Sequence, residues 1–279
     1  MTEPCTEHGE GPFWDAVGER LLLVDMLVGA VVAVGADGTT QRYELGGVAA
    51  ALRARRGGGF VVARERGFQL YTADFAADGA FVSAFDDPAI RMNDGGCDPQ
   101  GRFYCGTMAY DETPGAGTIY RLDPDLTVHP VLHGATISNG LQWSADGQHA
   151  YYNDTPTARI DRFAFDAATG TFADRHPFVT LDGHHGLPDG LAMDDEGGVW
   201  IALWGGGAVH RYDPSGALSD VIELPAHQVT ACTFGGTDGS TLFITTSREG
   251  LGDKAEPAAG AVFAASPGVR GSVVHAFAA

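Results

Sequence analysis

Four polar residues, Glu10, Asn93, Asn139 and Asp189, each lie eight positions before a turn glycine: Gly18, Gly101, Gly147 and Gly197. Two carboxylates and two amides at one repeated position could hold a cation, move a proton or orient a hydroxylated ligand. Singly, an Asn, Asp or Glu near a glycine is ordinary turn chemistry. Four at one offset need another reason, because turn residues need not be equivalent from unit to unit. The local wording agrees: GEGPFW, MNDGGC, SNGLQW and PDGLAM each place a polar residue beside a glycine and ahead of apolar residues. The same count from Gly57 and Gly239 reaches Ala49 and Ala231, small residues expected to leave space.

The elements that must position these residues recur along the chain. Turn glycines 18, 57, 101, 147, 197 and 239 each precede a β-rich run, and subtraction gives steps of 39, 44, 46, 50 and 42 residues. Most units add a second run, such as GTIYRLDPDL or GAVHRYDPSG, that ends in an acidic or small-residue turn. Short Val-, Ile- and aromatic-rich strands broken by Asp-Gly and Asp-Pro turns predict antiparallel hairpins. A period of about 40–50 residues with about four strands per unit predicts a propeller blade. Six units fill the chain, so the expected fold is all-β: one six-bladed β-propeller domain of four-stranded antiparallel blades over residues 1–279. The ring should close by pairing N- and C-terminal segments in one blade, with GSVVHAFAA able to supply a strand. Trp14, Trp143 and Trp200 are expected in blade cores, and Trp204 at the wall of a pocket.

In a propeller the innermost strand of each blade lines a central channel, so the counted residues should converge on one axis. Carboxylates gathered there would repel one another or lack partners without a bound cation. An all-oxygen donor set suits Ca²⁺, Mg²⁺ or Mn²⁺, and Zn²⁺ less well in the absence of His or Cys ligands.

Composition sets outer bounds. With 17 Lys and Arg against 36 Asp and Glu, the net charge of -19 disfavours nucleic acid and anionic membrane surfaces as partners. Cys5, Cys97, Cys105 and Cys232 show no metal-finger spacing and suit a reducing compartment. The N-terminus has neither a basic nor an apolar leader segment, and no apolar run reaches the roughly 18–20 residues of a membrane span. A cytoplasmic monomer or small homo-oligomer is expected.

The ordered set GEGPFWD, RMNDGGCDPQGRFYCGTM, ISNGLQWS, GLPDGLAMDDEGGVW and VTACTFGG…LFITTSREGL resembles the SMP-30/gluconolactonase/LRE (regucalcin-like) family across nearly the whole chain. The resemblance implies a six-bladed propeller with one divalent cation at its axis (Ca, Mg, Mn, Zn or Fe). It implies Glu10, Asn139 and Asp189 as ligands, Asp189 also as general base, and Arg91 and Asn93 as substrate contacts. Asp111, in the MAYDETPGAG loop expected to overhang the site, falls where some members carry an acidic substrate contact. The implied reaction is hydrolysis of a sugar lactone, with the cation polarising the ester carbonyl and Asp189 deprotonating water. Its rivals are hydrolysis of an organophosphate or aromatic lactone, and a non-catalytic calcium-binding or docking propeller. His184 and His185, just before Asp189, would border the substrate if they have a site role; His8, near Glu10, has a weaker claim.

Overall fold

Each repeat folds as an antiparallel meander, because its hydrophobic runs are too short for anything but strands and its Gly-rich turns reverse the chain. The computed structural model describes residues 2–181 and 186–279. Blade one is β1 (Gly9–Asp15), β2 (Arg20–Asp25), β3 (Ala30–Val34) and β4 (Thr40–Glu44). Blade two is β5 (Ala49–Ala54), β6 (Phe60–Arg64), β7 (Gly67–Tyr71) and β8 (Ala77–Ser83). Blade three is β9 (Ile90–Cys97), β10 (Phe103–Ala109), β11 (Gly117–Leu122) and β12 (Val128–Ala135). Blade four is β13 (Ser138–Trp143), β14 (His149–Asp154), β15 (Arg159–Asp166) and β16 (Thr171–Thr180). Blade five is β17 (Leu187–Met193), β18 (Val199–Trp204), β19 (Ala208–Tyr212) and β20 (Leu218–Glu223). Blade six has three strands, β21 (Val229–Gly235), β22 (Thr241–Thr246) and β23 (Phe263–Ala265). The six-bladed propeller is as expected; among the described residues one blade has three strands where four were expected. Among the described residues, no helix is long and apolar enough to cross a membrane.

The first strands β1, β5, β9, β13, β17 and β21 are almost wholly buried, whereas the fourth strands are mostly exposed. This gradient places the first strands around the axis. Blades are glued by aromatic packing: Trp14 stacks on Phe243 of blade six at 5.6 Å, and Tyr104 meets Trp143 of blade four at 5.1 Å. Trp143 and Trp200 are buried, as expected of blade cores.

Closure differs from the expectation for the C-terminal segment. Thr2 donates to Val262 O (2.9 Å), and Cys5 and Thr6 donate to Gly260 O, so the N-terminal residues bond to blade six without forming a regular strand. The tail supplies no strand to that blade. It crosses beneath blades five, two and three, where Ser272 donates to Met193 O, Phe277 to Ala54 O and Ala278 to Gly101 O. The physical reason is Phe277, which is fully buried in the largest core cluster. Burying that ring at the end of the channel takes the tail away from blade six.

At the same end, Asp194 is fully buried and accepts from Gly198 N (2.7 Å), Trp200 Nε1 (2.8 Å) and Arg211 Nε (2.7 Å). Glu196 N donates to the same carboxylate (3.1 Å), so Asp194→Ala leaves four donors without their acceptor and is expected to cost about 3–5 kcal/mol. Urea unfolding checks this; a midpoint unchanged at constant slope contradicts it.

Candidate functional site

All six first strands carry a β-bulge near the position reached by the eight-residue count. The register slips between Glu10 and Phe13, Ala49 and Ala51, Asn139 and Leu141, Pro188 and Leu191, and Val229 and Ala231; in blade three it slips opposite Asn93 and Asp94. A bulge breaks strict alternation and re-aims the side chains beside it. That explains the glycines after Glu10 and Asn139: Gly11 (φ 51°) and Gly140 (φ 45°) occupy the left-handed region, whereas Asn93 is followed by Asp94. A Cβ on Gly140 would also lie 2.3 Å from Asn153 Oδ1 and 2.8 Å from the Asp189 carbonyl oxygen. Gly140→Ala is therefore expected to displace Asn139 and Asp189 together and to destabilise the fold by about 1 kcal/mol or more. Urea unfolding tests this, and an unchanged midpoint at constant slope would contradict it.

Glu10, Asn93, Asn139 and Asp189 all line one cavity of about 300 Å³, together with Arg91. Ala49 and Ala231 are buried elsewhere, and Ala231 packs against Gly190 so closely that a Cβ there would lie 2.4 Å away. Their smallness serves blade contact.

The amides are locked by a hydrogen-bond chain. Arg91 Nη1 donates to Asn93 Oδ1 (2.6 Å), and Asn93 Nδ2 donates to Asn139 Oδ1 (2.9 Å). Asn139 Nδ2 donates to Thr155 Oγ1 (2.8 Å), which donates to Pro188 O (2.9 Å). Asn139 therefore spends its nitrogen on Thr155 and keeps one carbonyl lone pair for another partner. Asn153 Nδ2 donates to the carbonyl oxygens of Pro188 and Asp189, pinning the backbone that carries Asp189.

The carboxylates are short of partners. Glu10 Oε2 accepts from Gly11 N at 3.0 Å, whereas buried Asp189 Oδ1 has no hydrogen-bond partner among the described residues. Burial, then repulsion from Asp94, pushes the Glu10 carboxyl up to about 8. Asp189 is raised well above the ordinary carboxylate range by burial, then by Glu10 and Asp94. Burial, then Arg91, lowers His8 to about 3, so its ring is neutral.

Two buried carboxylates that disfavour their own ionisation, beside an oriented amide oxygen, fit a divalent cation; its charge would compensate both. Among the described residues no three His, Cys, Asp or Glu side chains cluster as metal ligands. The axial set has two carboxylates and completes itself with Asn139, which suits a hard, oxygen-preferring ion.

These groups give the cation-free protein a signed pH dependence. The folded state holds the Glu10 and Asp189 protons more tightly than the unfolded chain, so stability falls as pH rises from about 4.5 to about 8. His8 acts oppositely, and its contribution is lost as pH falls from 6.5 towards 3. Of these groups only the carboxyls act between pH 6.5 and 8, where chelator-treated protein is expected to lose roughly 1–2 kcal/mol. Urea midpoints measured across that window check the sign; a rising midpoint contradicts it.

Asp111 stands apart from the converged set. It is exposed, and its carboxylate accepts from Thr113 N (3.0 Å) and Oγ1 (2.7 Å) within its own turn. Its neighbours Tyr110 and Glu112 line the cavity instead. His184 and His185 lie outside the described residues. Trp204 walls the cavity as expected, and His8 borders it with Nδ1 2.8 Å from Ser247 Oγ. Sequence reasoning missed Asp94, Thr155 and Glu249. Asp94 accepts from Gly95 N and Gly140 N and adds negative charge beside Glu10. Asp94 and Glu249 stood inside quoted motifs, but a count that stops at one residue per strand passes over them.

Comparison with known proteins follows the same lines. The family described as SMP-30/Gluconolactonase/LRE-like region matches residues 8–248. A regucalcin from Danio rerio is 34% identical over 265 residues, spanning 92% of this chain and 90% of the relative. A solved luciferin-regenerating enzyme superposes with a TM-score of 0.90 at 27% identity, covering 100% of this chain and 97% of the other. A calcium-binding protein, regucalcin, from Agrobacterium tumefaciens superposes with a TM-score of 0.87 at 29% identity, covering 98% and 94%.

Proposed function

The chain belongs to the SMP-30/gluconolactonase/LRE-like family, and from that premise we propose that its axial cavity hydrolyses sugar lactones with the help of one divalent cation. The observation that carries the reading is Asp189 Oδ1, buried and without a partner among the described residues, beside a second buried carboxylate in a ligand-sized cavity. Glu10, Asn139 and Asp189 would hold the cation, which when bound polarises the ester carbonyl and stabilises its oxyanion.

The remaining work falls to the chain's own residues. Asp189 takes a proton from the attacking water as the new C–O bond forms. When the ring C–O bond breaks, that proton passes to the leaving ring oxygen, which becomes a hydroxyl of the aldonic acid. Asn93, held by Arg91 and Asn139, presents a fixed amide to a sugar hydroxyl. Arg91 is buried and bonded to Asn93, Met92 O and Met26, so it orients the amide as well as facing substrate. The loop after β10 contributes Tyr110 and Glu112, while Asp111 stays in its turn.

A second enzymatic reading, an aromatic lactone or organophosphate, draws support from the apolar side chains at the mouth: Leu27, Tyr110 and Leu187 are 38%, 49% and 39% exposed. Acid release from a panel of five- and six-carbon aldonolactones, one aromatic lactone and one organophosphate separates the readings. Fastest turnover of an aldonolactone is expected. Preference for either other substrate would move the assignment, and turnover of none would leave a cation-binding propeller.

A further inference from the structure

Beyond the cation-holding pair, two more carboxylates face the same cavity. Glu112 follows β10 and Glu249 follows β22, so they come from blades three and six and approach from different sides. Among the described residues neither carboxylate is within ion-pair distance of a Lys or Arg side chain, although Arg91 attracts Glu249 across the cavity. Glu249 Oε2 lies 3.3 Å from Nδ1 of His8, a ring nitrogen that also meets Ser247 Oγ at 2.8 Å. Among the described residues Arg91 is the one Lys or Arg side chain in the lining, and its Nη1 is committed to Asn93, Met92 O and Met26 Sδ. A phosphate or carboxylate on a substrate is ordinarily received by a free guanidinium, an ammonium or a cluster of backbone N–H groups. Here one partly committed guanidinium is outnumbered by two glutamates.

Resting on the lactonase reading above, we propose that Glu112 and Glu249 act as a charge filter, so that the cavity takes uncharged lactones and rejects those bearing a phosphate or carboxylate away from the ester. The cation held by Glu10 and Asp189 is balanced by its own ligands, so it leaves the glutamates' field at the mouth largely intact. A like charge brought to within several ångströms of one exposed and one half-buried carboxylate meets repulsion worth roughly tenfold in kcat/KM. That repulsion weakens as salt screens it.

The test compares three lactones on the cation-loaded full chain at low ionic strength: glucono-δ-lactone, its phosphate ester on the exocyclic carbon, and a glucaro-lactone. The uncharged lactone is expected to have a kcat/KM at least about tenfold above either anion, with the gap narrowing as salt is raised. The Glu112→Gln and Glu249→Gln double substitution is expected to bring the ratio to within about threefold of unity. The salt dependence of the wild type reads the same field without any variant. Equal turnover of charged and uncharged lactones, or a ratio unmoved by both salt and substitution, overturns the filter while leaving the lactonase intact. Turnover of none of the three overturns the hydrolytic reading, and the filter with it.

Discussion

Asp189→Asn is expected to lower turnover by at least about thousandfold while leaving the fold in place. Asparagine keeps the shape of the side chain and the bond from Gly190 N, but it removes both the charge and the basic oxygen. In the wild type Oδ1 is buried and has no partner among the described residues, so none of them competes for it. A positioned general base contributes about 10²–10⁴-fold, and a lost anionic ligand adds to that. Steady-state kinetics with saturating cation measure the loss, and calorimetric titration of the cation separates ligand from base. If kcat stays within about tenfold of wild type, Asp189 is not the base. If kcat collapses while cation affinity is unchanged, Asp189 is a base without being a ligand.

Glu10→Gln should separate binding from stability with opposite signs. The carboxyl is 3% exposed, and burial pushes it up to about 8, so near neutral pH the cation-free fold already disfavours its charge. Glutamine is uncharged at every pH and can still accept from Gly11 N. The variant is expected to bind cation at least about a hundredfold more weakly, because one of two anionic ligands is gone. At pH 8 in chelator the same variant is expected to be more stable than wild type by roughly 1–2 kcal/mol, since it no longer buries a partly ionised carboxyl. A site tuned for a cation carries this kind of local cost in its absence. Paired melting curves with chelator and with cation check both signs; a variant less stable than wild type in chelator contradicts the argument from burial.

Much of the architecture can be read from turn glycines, because propeller blades repeat the same strand lengths and each repeat must reverse at similar points. The eight-residue count found Glu10, Asn93, Asn139 and Asp189 for the same reason: it measures the length of an innermost strand. It could not see the bulges, which require a Cα pairing partner to define them, and it therefore misread Ala231, whose smallness admits Gly190. Asp111 shows the limit in a loop. One residue of phase decides whether Asp111 or Glu112 faces the cavity, and irregular backbone has no period to fix that phase. The tail was misplaced because VVHAFAA reads equally well as an edge strand or as a plug, and only the burial of Phe277 separates them.

We propose that catalysis needs a cation held by Glu10, Asn139 and Asp189. The most direct test is acid release from glucono-δ-lactone by chelator-stripped protein, followed by single re-addition of Mg²⁺, Ca²⁺, Mn²⁺, Zn²⁺ or Fe²⁺. The expected result is a rate indistinguishable from spontaneous hydrolysis after stripping, restored by at least one hard divalent ion at about one equivalent of protein sites. Full activity in the stripped protein, with no bound metal by elemental analysis, would contradict it.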